Sequence, residues 1–154
     1  MNSDPRLLQS DDRAAPAREP RPKLDGPIVF FDGVCGLCDR AVNSIMAADR
    51  RGVFRFAPLQ GETAARLLDR KDAEALSTLV LLDERGTWRR SSAVVRILRR
   101  LGGARRLIGA LLWLVPKPLR DLGYRAVAWQ RYRLFGKRDA CRMPKPEERD
   151  RMLP

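Results

Sequence analysis

The sequence contains no histidine and only three cysteines among its 154 residues. Without histidine the chain cannot use a Cys–His nucleophile. It also offers too few Cys and His ligands for an ordinary four-ligand zinc site, although zinc shared between two copies stays open. An odd cysteine count, with two of the three in one short motif, argues against the disulfide framework of small secreted domains. These absences favour a reducing, cytoplasmic setting and predict no cofactor and no metal.

Long apolar runs are also missing. The longest, Leu107–Val115, ends before Pro116 and is far shorter than the ~20 residues that cross a bilayer. The N-terminal residues contain Arg, Asp and Pro but no apolar segment of a secretory signal. The length suits one domain with a sizeable core.

Acidic residues are scarce in the C-terminal half. The net charge of the whole chain is +12, and residues 85–154 alone carry nineteen basic and five acidic groups. Such a surface attracts acidic proteins, anionic lipid and nucleic acid, or it is simply a solvated set of arginines. Nucleic acid is disfavoured because no recognition motif accompanies the charge.

The pattern of apolar residues predicts a βαβ unit after a disordered leader, residues 1–26. Residues 28–31 form a continuously apolar strand, 36–50 an amphipathic helix, and 53–57 a second strand parallel to the first. The predicted elements that follow are a helix over 61–71, a hairpin of strands 78–82 and 87–90, a helix capped by Ser91 or Ser92, helices over 104–115 and 119–134, and a polar tail, 137–154.

The order βαβ, helix, β-hairpin, helix is the thioredoxin-like arrangement. We therefore expect an α/β domain over residues 27–136, with a small four-stranded mixed sheet and extra C-terminal helices.

Cys35 and Cys38 stand where the first strand passes into the first helix, in the stretch Asp32-Gly33-Val34-Cys35-Gly36-Leu37-Cys38. A thiol there faces unpaired backbone N–H groups and the positive end of a helix dipole, which favour the thiolate. The second thiol, one helical turn further on, can close a disulfide with the first. The context predicts a dithiol redox site, and the alternative is a pair of small buried residues.

Two phosphatase chemistries fail on residues that they require. Cys35 and Arg40 are one residue too close for the C-x5-R phosphate loop, and Val34 stands where an aspartyl phosphatase needs its second Asp.

The cysteine motif resembles the signature of the DCC family of thiol-disulfide oxidoreductases, and the similarity extends from about residue 28 to 149. Other stretches that resemble the family are Ser91-Ser92-Ala93, Pro118-Leu119-Arg120-Asp121, Tyr124, Arg131-Tyr132-Arg133-Leu134-Phe135-Gly136, Cys141 and Pro144. The resemblance implies a thioredoxin-like fold and exchange with a protein or small-molecule disulfide or dithiol.

The resemblance also implies roles for single residues. Cys35, expected to be the more exposed thiol, would attack, and Cys38, expected to be buried, would resolve the mixed disulfide. Asp32 would either relay a proton to or from Cys38 or accept N–H groups of the turn. Cys141 would be a further redox thiol or a buried structural residue.

A second function is compatible with the same scaffold. The basic C-terminal half and the apolar stretch 107–115 would suit a non-enzymatic module that docks on an anionic membrane or an acidic partner. The sequence leaves the oligomeric state open.

Overall fold

The computed structural model of the chain describes residues 25–71, 79–136 and 146–154. Its elements in chain order are β1 (Ile28–Phe31), α1 (Gly36–Ala48), β2 (Arg55–Pro58), α2 (Glu62–Leu67), β3 (Val80–Asp83), β4 (Gly86–Arg89), α3 (Arg90–Leu101), α4 (Gly103–Leu114), α5 (Lys117–Phe135) and a 3-10 helix (Pro146–Arg151).

The four strands form one mixed sheet in the order β2-β1-β3-β4. Strands β1 and β2 are parallel, and β3 is antiparallel to both β1 and β4. The predicted βαβ unit and hairpin are therefore confirmed, and the sheet has the thioredoxin-like arrangement.

Both faces of the sheet are covered, which explains the uninterrupted apolar run of β1. Val29 and Phe31 pack with side chains of α1 and α3 on one face. Ile28 and Phe30 pack with side chains of α2 on the other. Alternate residues of a strand point to opposite faces, so a strand buried on both sides has no polar positions.

Element boundaries differ from the prediction where local backbone chemistry decides them. Helix α1 ends at Ala48, and Gly52 in the following turn has φ +63°, a conformation that glycine adopts without strain. Strand β2 runs from Arg55 to Pro58 rather than over 53–57, so it includes a proline. Because β2 is an edge strand, it tolerates a residue without an N–H.

The predicted serine cap of α3 is wrong. The helix begins at Arg90, after Arg89 at the N-cap position, and no side chain caps it. The Ser91 hydroxyl instead donates to the Asp121 carboxylate of α5. Ser91 is buried, so its hydroxyl needs a partner inside the fold, and the bond ties α3 to α5.

The last residues of the chain, within the stretch predicted to be a polar tail, contact the edge of the sheet. The Leu153 amide donates to the Phe56 carbonyl at 2.7 Å, and the Thr63 amide donates to the Pro154 carbonyl at 2.9 Å. The Arg151 guanidinium pairs with Asp49. Apolar Met152 and Leu153 pack against the two cores, and this burial explains the contact.

The predicted leader, but for its last two residues, and Cys141 lie outside the described residues. Within the described ranges, no helix is both long and apolar enough to span a bilayer.

Candidate active site

Both motif cysteines lie where β1 ends and α1 begins. Cys35 is the N-cap residue of α1, and Cys38 is in its first turn, three residues along. Residues at i and i+3 are neighbours on a helix, so the two thiols share one face. Both are free thiols. Among the described residues, no group of three or more Cys, Asp or Glu could hold a metal ion.

The order of exposure is the reverse of the expectation. Cys35 is 0% exposed, whereas Cys38 is half-buried and lines a cavity. The prediction assumed that the helix N-terminus is open, but the end of α5 lies against it.

The closeness of α5 to this turn depends on Gly36. The Gly36 amide donates to the Gly136 carbonyl at 3.4 Å. A Cβ added at Gly36 would clash with the Phe135 carbonyl oxygen. Arg40 of α1 lies over the Phe135 ring, 5.5 Å from its centroid. Glycine is therefore required between the cysteines for α5 to close over them.

We predict that Gly36→Ala destabilises the fold by about 1–3 kcal/mol, the usual cost of forcing extra volume into a packed contact. Gly123→Ala is the matched control. An added Cβ there meets nothing within 4 Å, so the change should stabilise α5 by about 0.5–1 kcal/mol. Urea unfolding of both variants measures this. Equal stabilities would contradict the close approach.

Asp32 makes the turn contacts expected for one of its two predicted roles. Its carboxylate is buried, and Oδ1 accepts the Val34 amide at 3.1 Å and the Gln60 side-chain amide at 3.0 Å. The Gln60 carbonyl Oε1 in turn accepts the Gly33 amide at 3.2 Å. Asp32 and Gln60 together hold the turn that leads to Cys35.

Gln60 was not predicted from the sequence, although a signal was present. It lies just beyond β2, and β1 and β2 are parallel neighbours. The segments after two parallel neighbours meet at the same edge of a sheet. A polar residue just after β2 is therefore a candidate partner for the turn after β1.

Replacing Gln60 should loosen the turn in a pH-dependent way. Gln60→Ala removes two hydrogen bonds and should cost about 1–2 kcal/mol. Gln60→Glu places a second carboxylate beside Asp32, so it should cost more at neutral pH and recover as acid protonates one of the pair. Urea unfolding at pH 7 and pH 4.5 tests both variants. An equal loss at the two pH values for Gln60→Glu would contradict this contact.

The cavity beside Cys38 has a volume of about 490 Å³ and almost entirely apolar walls. Leu37 and Ala41 of α1 flank the thiol. The other walls come from Leu79, just before β3, from α3, α4 and α5, and from Val115 between α4 and α5. The Tyr124 hydroxyl, on its wall, accepts the Leu79 amide at 2.8 Å. A volume of this size is typical of small-molecule sites, and it gives the Cys38 thiol an apolar approach.

Comparison with known proteins decides the family. A family model described as DCC1-like thiol-disulfide oxidoreductase matches residues 29–137. The chain belongs to this family. The match includes the cysteine motif, the Asp32 turn, Gln60 and every described wall of the cavity.

Two relatives extend the similarity. The chain is 36% identical over 134 residues to the uncharacterized protein YuxK of Bacillus subtilis, covering 86% of this chain and 97% of the relative. It is 34% identical over 119 residues to the chloroplastic DCC family protein At1g52590 of Arabidopsis thaliana, covering 76% of this chain and 69% of the relative. No solved structure matches.

Proposed function

We propose that this protein is a thiol-disulfide oxidoreductase whose redox pair is Cys35 and Cys38. The observation that carries the proposal is their place, at the strand-to-helix junction with one thiol opening into a cavity. The family description supports it at the level of the reaction class. The proposed partner is a protein or small-molecule disulfide or dithiol, and the proposed setting is the cytoplasm.

The proposed reduction proceeds in two exchanges. The Cys38 thiolate attacks one sulfur of the substrate disulfide, forms a mixed disulfide and releases the first substrate thiolate. The Cys35 thiolate then attacks the Cys38 sulfur, forms the Cys35–Cys38 bond and releases the second. The dithiol loses two electrons, the substrate gains them, and the two thiol protons end on the products.

These roles reverse the assignment expected from the sequence, and access supports the reversal. A substrate can reach Cys38 through the cavity, whereas Cys35 is buried. Cys35 is suited to the resolving step because it lies three residues before Cys38, on the same side of the first helical turn.

Equilibration in glutathione buffers of graded potential tests the proposed function. In a Cys141→Ser background, so that only two thiols remain, alkylation and mass measurement should show one intramolecular disulfide that forms over a single two-electron transition. The matched control, Cys35→Ser in the same background, should show none. Absence of the bond at every potential would refute the proposal.

A proton-relay role for Asp32 stays a prediction. Asp32→Asn keeps an oxygen that can accept the Val34 amide but removes the carboxylate, so it separates the relay from the turn. A rate of disulfide exchange that falls at unchanged stability would support the relay. An unchanged rate would leave only the turn-forming role.

A specific surface favours the second candidate function, docking on an anionic membrane. The exposed large apolar side chains of the described residues all lie on α4, α5 and their link, here called the α4–α5 apolar face: Leu107, Ile108, Leu111, Trp113, Leu114, Val115, Leu119, Leu122, Val127 and Trp129. Exposed apolar patches of this kind mark sites of interaction.

Charge favours an anionic membrane as the occupant of the α4–α5 apolar face. Residues 103–135 carry seven basic groups and one acidic group, Asp121. The Asp121 carboxylate accepts a hydrogen bond from the Ser91 hydroxyl of α3. Two copies packed through this face would repel each other, whereas an anionic lipid surface supplies the opposite charge and an apolar interior. Basic helices with Leu and Trp on one face bind such surfaces.

Sedimentation with vesicles tests this docking. Phosphatidylglycerol vesicles should bind the protein at low salt, release it at high salt, and bind more than pure phosphatidylcholine. Exposed Arg105 and Arg106 changed to Glu should weaken binding, whereas the matched change of exposed Arg51 and Arg70 should weaken it less. No binding at low salt, or a dimer without lipid, would contradict the membrane as occupant.

A further inference from the structure

Among the described walls of the cavity beside Cys38, one side chain is charged, that of Arg120 in α5. Its Nε and Nη1 are buried and have no hydrogen-bond partner among the residues that the structure describes. Buried donors of a cation are costly to leave unpaired, and each such group in a folded protein calls for an explanation.

A second, smaller cavity of about 130 Å³ lies on the other side of Arg120. The two cavities share Arg120 and Val95 as walls. Arg96 and Arg99 of α3 also line the smaller one, together with Trp88 and Trp113, and no acidic side chain is among its described walls.

Three guanidinium groups around one small space favour an anion. Burial holds the pKa of Arg96 below its usual value, Asp83 opposes that shift, and the positive charges of Arg85, Arg100 and Arg99 add to it. Arg96 stacks on Trp88 at 3.4 Å and lies 3.7 Å from Asp83, which fixes its position. An anion bound here would pair with Arg120 and reduce the mutual repulsion of the arginines.

We infer that the two cavities form one binding site for an amphipathic anion, with its anionic group at Arg120 and its apolar body against Cys38. If the proposed function holds, this assigns a substrate class: a disulfide or thiol with an apolar body and one carboxylate, sulfonate or phosphate. The larger cavity takes the apolar body because its walls are apolar, and the smaller takes the anionic group.

Protection of Cys38 from alkylation locates binding at this site. Decanoate and decanol share a chain and differ in the charged group. Decanoate should slow the reaction of Cys38 with iodoacetamide at a concentration about tenfold lower than decanol does, because a charge-assisted pair with Arg120 adds to apolar burial. Inorganic phosphate alone should protect weakly, because it lacks the apolar body.

Two variants make the test specific. In Arg120→Met the protecting concentrations of decanoate and decanol should agree within about twofold. The variant should fold at least as well as the wild type because it removes two buried donors that lack partners among the described residues. Arg51→Met removes an exposed charge that lines neither cavity and lies outside α4 and α5, and it should keep the preference for decanoate.

Equal protection by decanoate and decanol in the wild type would overturn the inference. So would a preference for decanoate that survives in Arg120→Met or that disappears equally in Arg51→Met. Reduction of neutral hydroxyethyl disulfide, measured in parallel, reports the dithiol chemistry without an anionic group. If decanoate protects Cys38 but hydroxyethyl disulfide is not reduced, the proposed function is wrong and the anion site stands. If the disulfide is reduced but decanoate does not protect preferentially, the anion site is wrong and the proposed function stands.

Discussion

Cys35→Ser is expected to trap a substrate on Cys38, and Cys38→Ser is expected to leave the protein almost unreactive. The reason is access, since Cys38 opens into the cavity and Cys35 is buried. Without Cys35, the mixed disulfide at Cys38 has no internal thiol to resolve it. Without Cys38, the remaining thiol at residue 35 is shielded from the reagent.

A neutral coloured disulfide provides the measurement. In the Cys141→Ser background, 2,2′-dithiodipyridine should release one thiopyridone from Cys35→Ser at a rate at least about tenfold above that of Cys38→Ser, because exposure limits the attack of a thiolate. Mass measurement should find the adduct on residue 38. A faster reaction of Cys38→Ser would restore the roles expected from the sequence and would mean that the end of α5 opens in solution.

The sequence predicted the elements that depend on nearby residues. The apolar run of β1, the helical spacing in α1 and the turn before β4 are local patterns. The order of these elements was enough to predict a mixed sheet, with parallel β1 and β2 and a β3–β4 hairpin. Cys35, Cys38 and Asp32 were identified as candidate site residues in the same way, because all three lie in one short stretch.

Contacts between distant segments could not be predicted in this way. Cys35 is buried where α5 returns to Gly36, one hundred residues later in the chain. Gln60 reaches Asp32 across two parallel strands. The spacing of residues predicts which face of a helix is apolar, but it does not predict which partner covers that face.

Composition alone does not show where the arginines of the C-terminal half lie. They were expected either to form a surface that attracts anions or to be simply a solvated set. The structure separates them into exposed groups such as Arg105 and Arg106 and cavity-lining groups such as Arg120. Burial makes this difference, and burial depends on how α3, α4 and α5 pack.

Asp83→Ala is expected to produce the largest loss of stability. Asp83 is buried at the β3–β4 turn. Its Oδ1 accepts the Arg85 amide at 3.0 Å, the Gly86 amide at 3.1 Å and the Trp88 indole N–H at 3.0 Å. Its Oδ2 accepts Arg100 at 3.0 Å. Removing a buried carboxylate that satisfies several donors should lower the free energy of unfolding by about 3 kcal/mol. This is the low end of the cost of breaking a buried ion pair, because Arg100 is partly solvated.

Glu84→Ala is the matched control, because Glu84 pairs with the same Arg100 at 2.7 Å but is exposed. Its own backbone hydrogen bond, followed by the bond from Arg100, lowers the pKa of Glu84, yet an exposed pair contributes less than about 0.5–1 kcal/mol. Urea unfolding should therefore separate the two variants by more than about 2 kcal/mol.

Asp83→Ala should also disturb the smaller cavity, the one lined by Trp88 and Arg96. Asp83 accepts a hydrogen bond from the Trp88 indole and lies beside Arg96, so it helps to position both side chains. Preferential protection of Cys38 by decanoate should weaken even under conditions where the variant is still folded. Equal stability of Asp83→Ala and Glu84→Ala would mean that the backbone of the β3–β4 turn, rather than the Asp83 carboxylate, stabilises this end of the sheet.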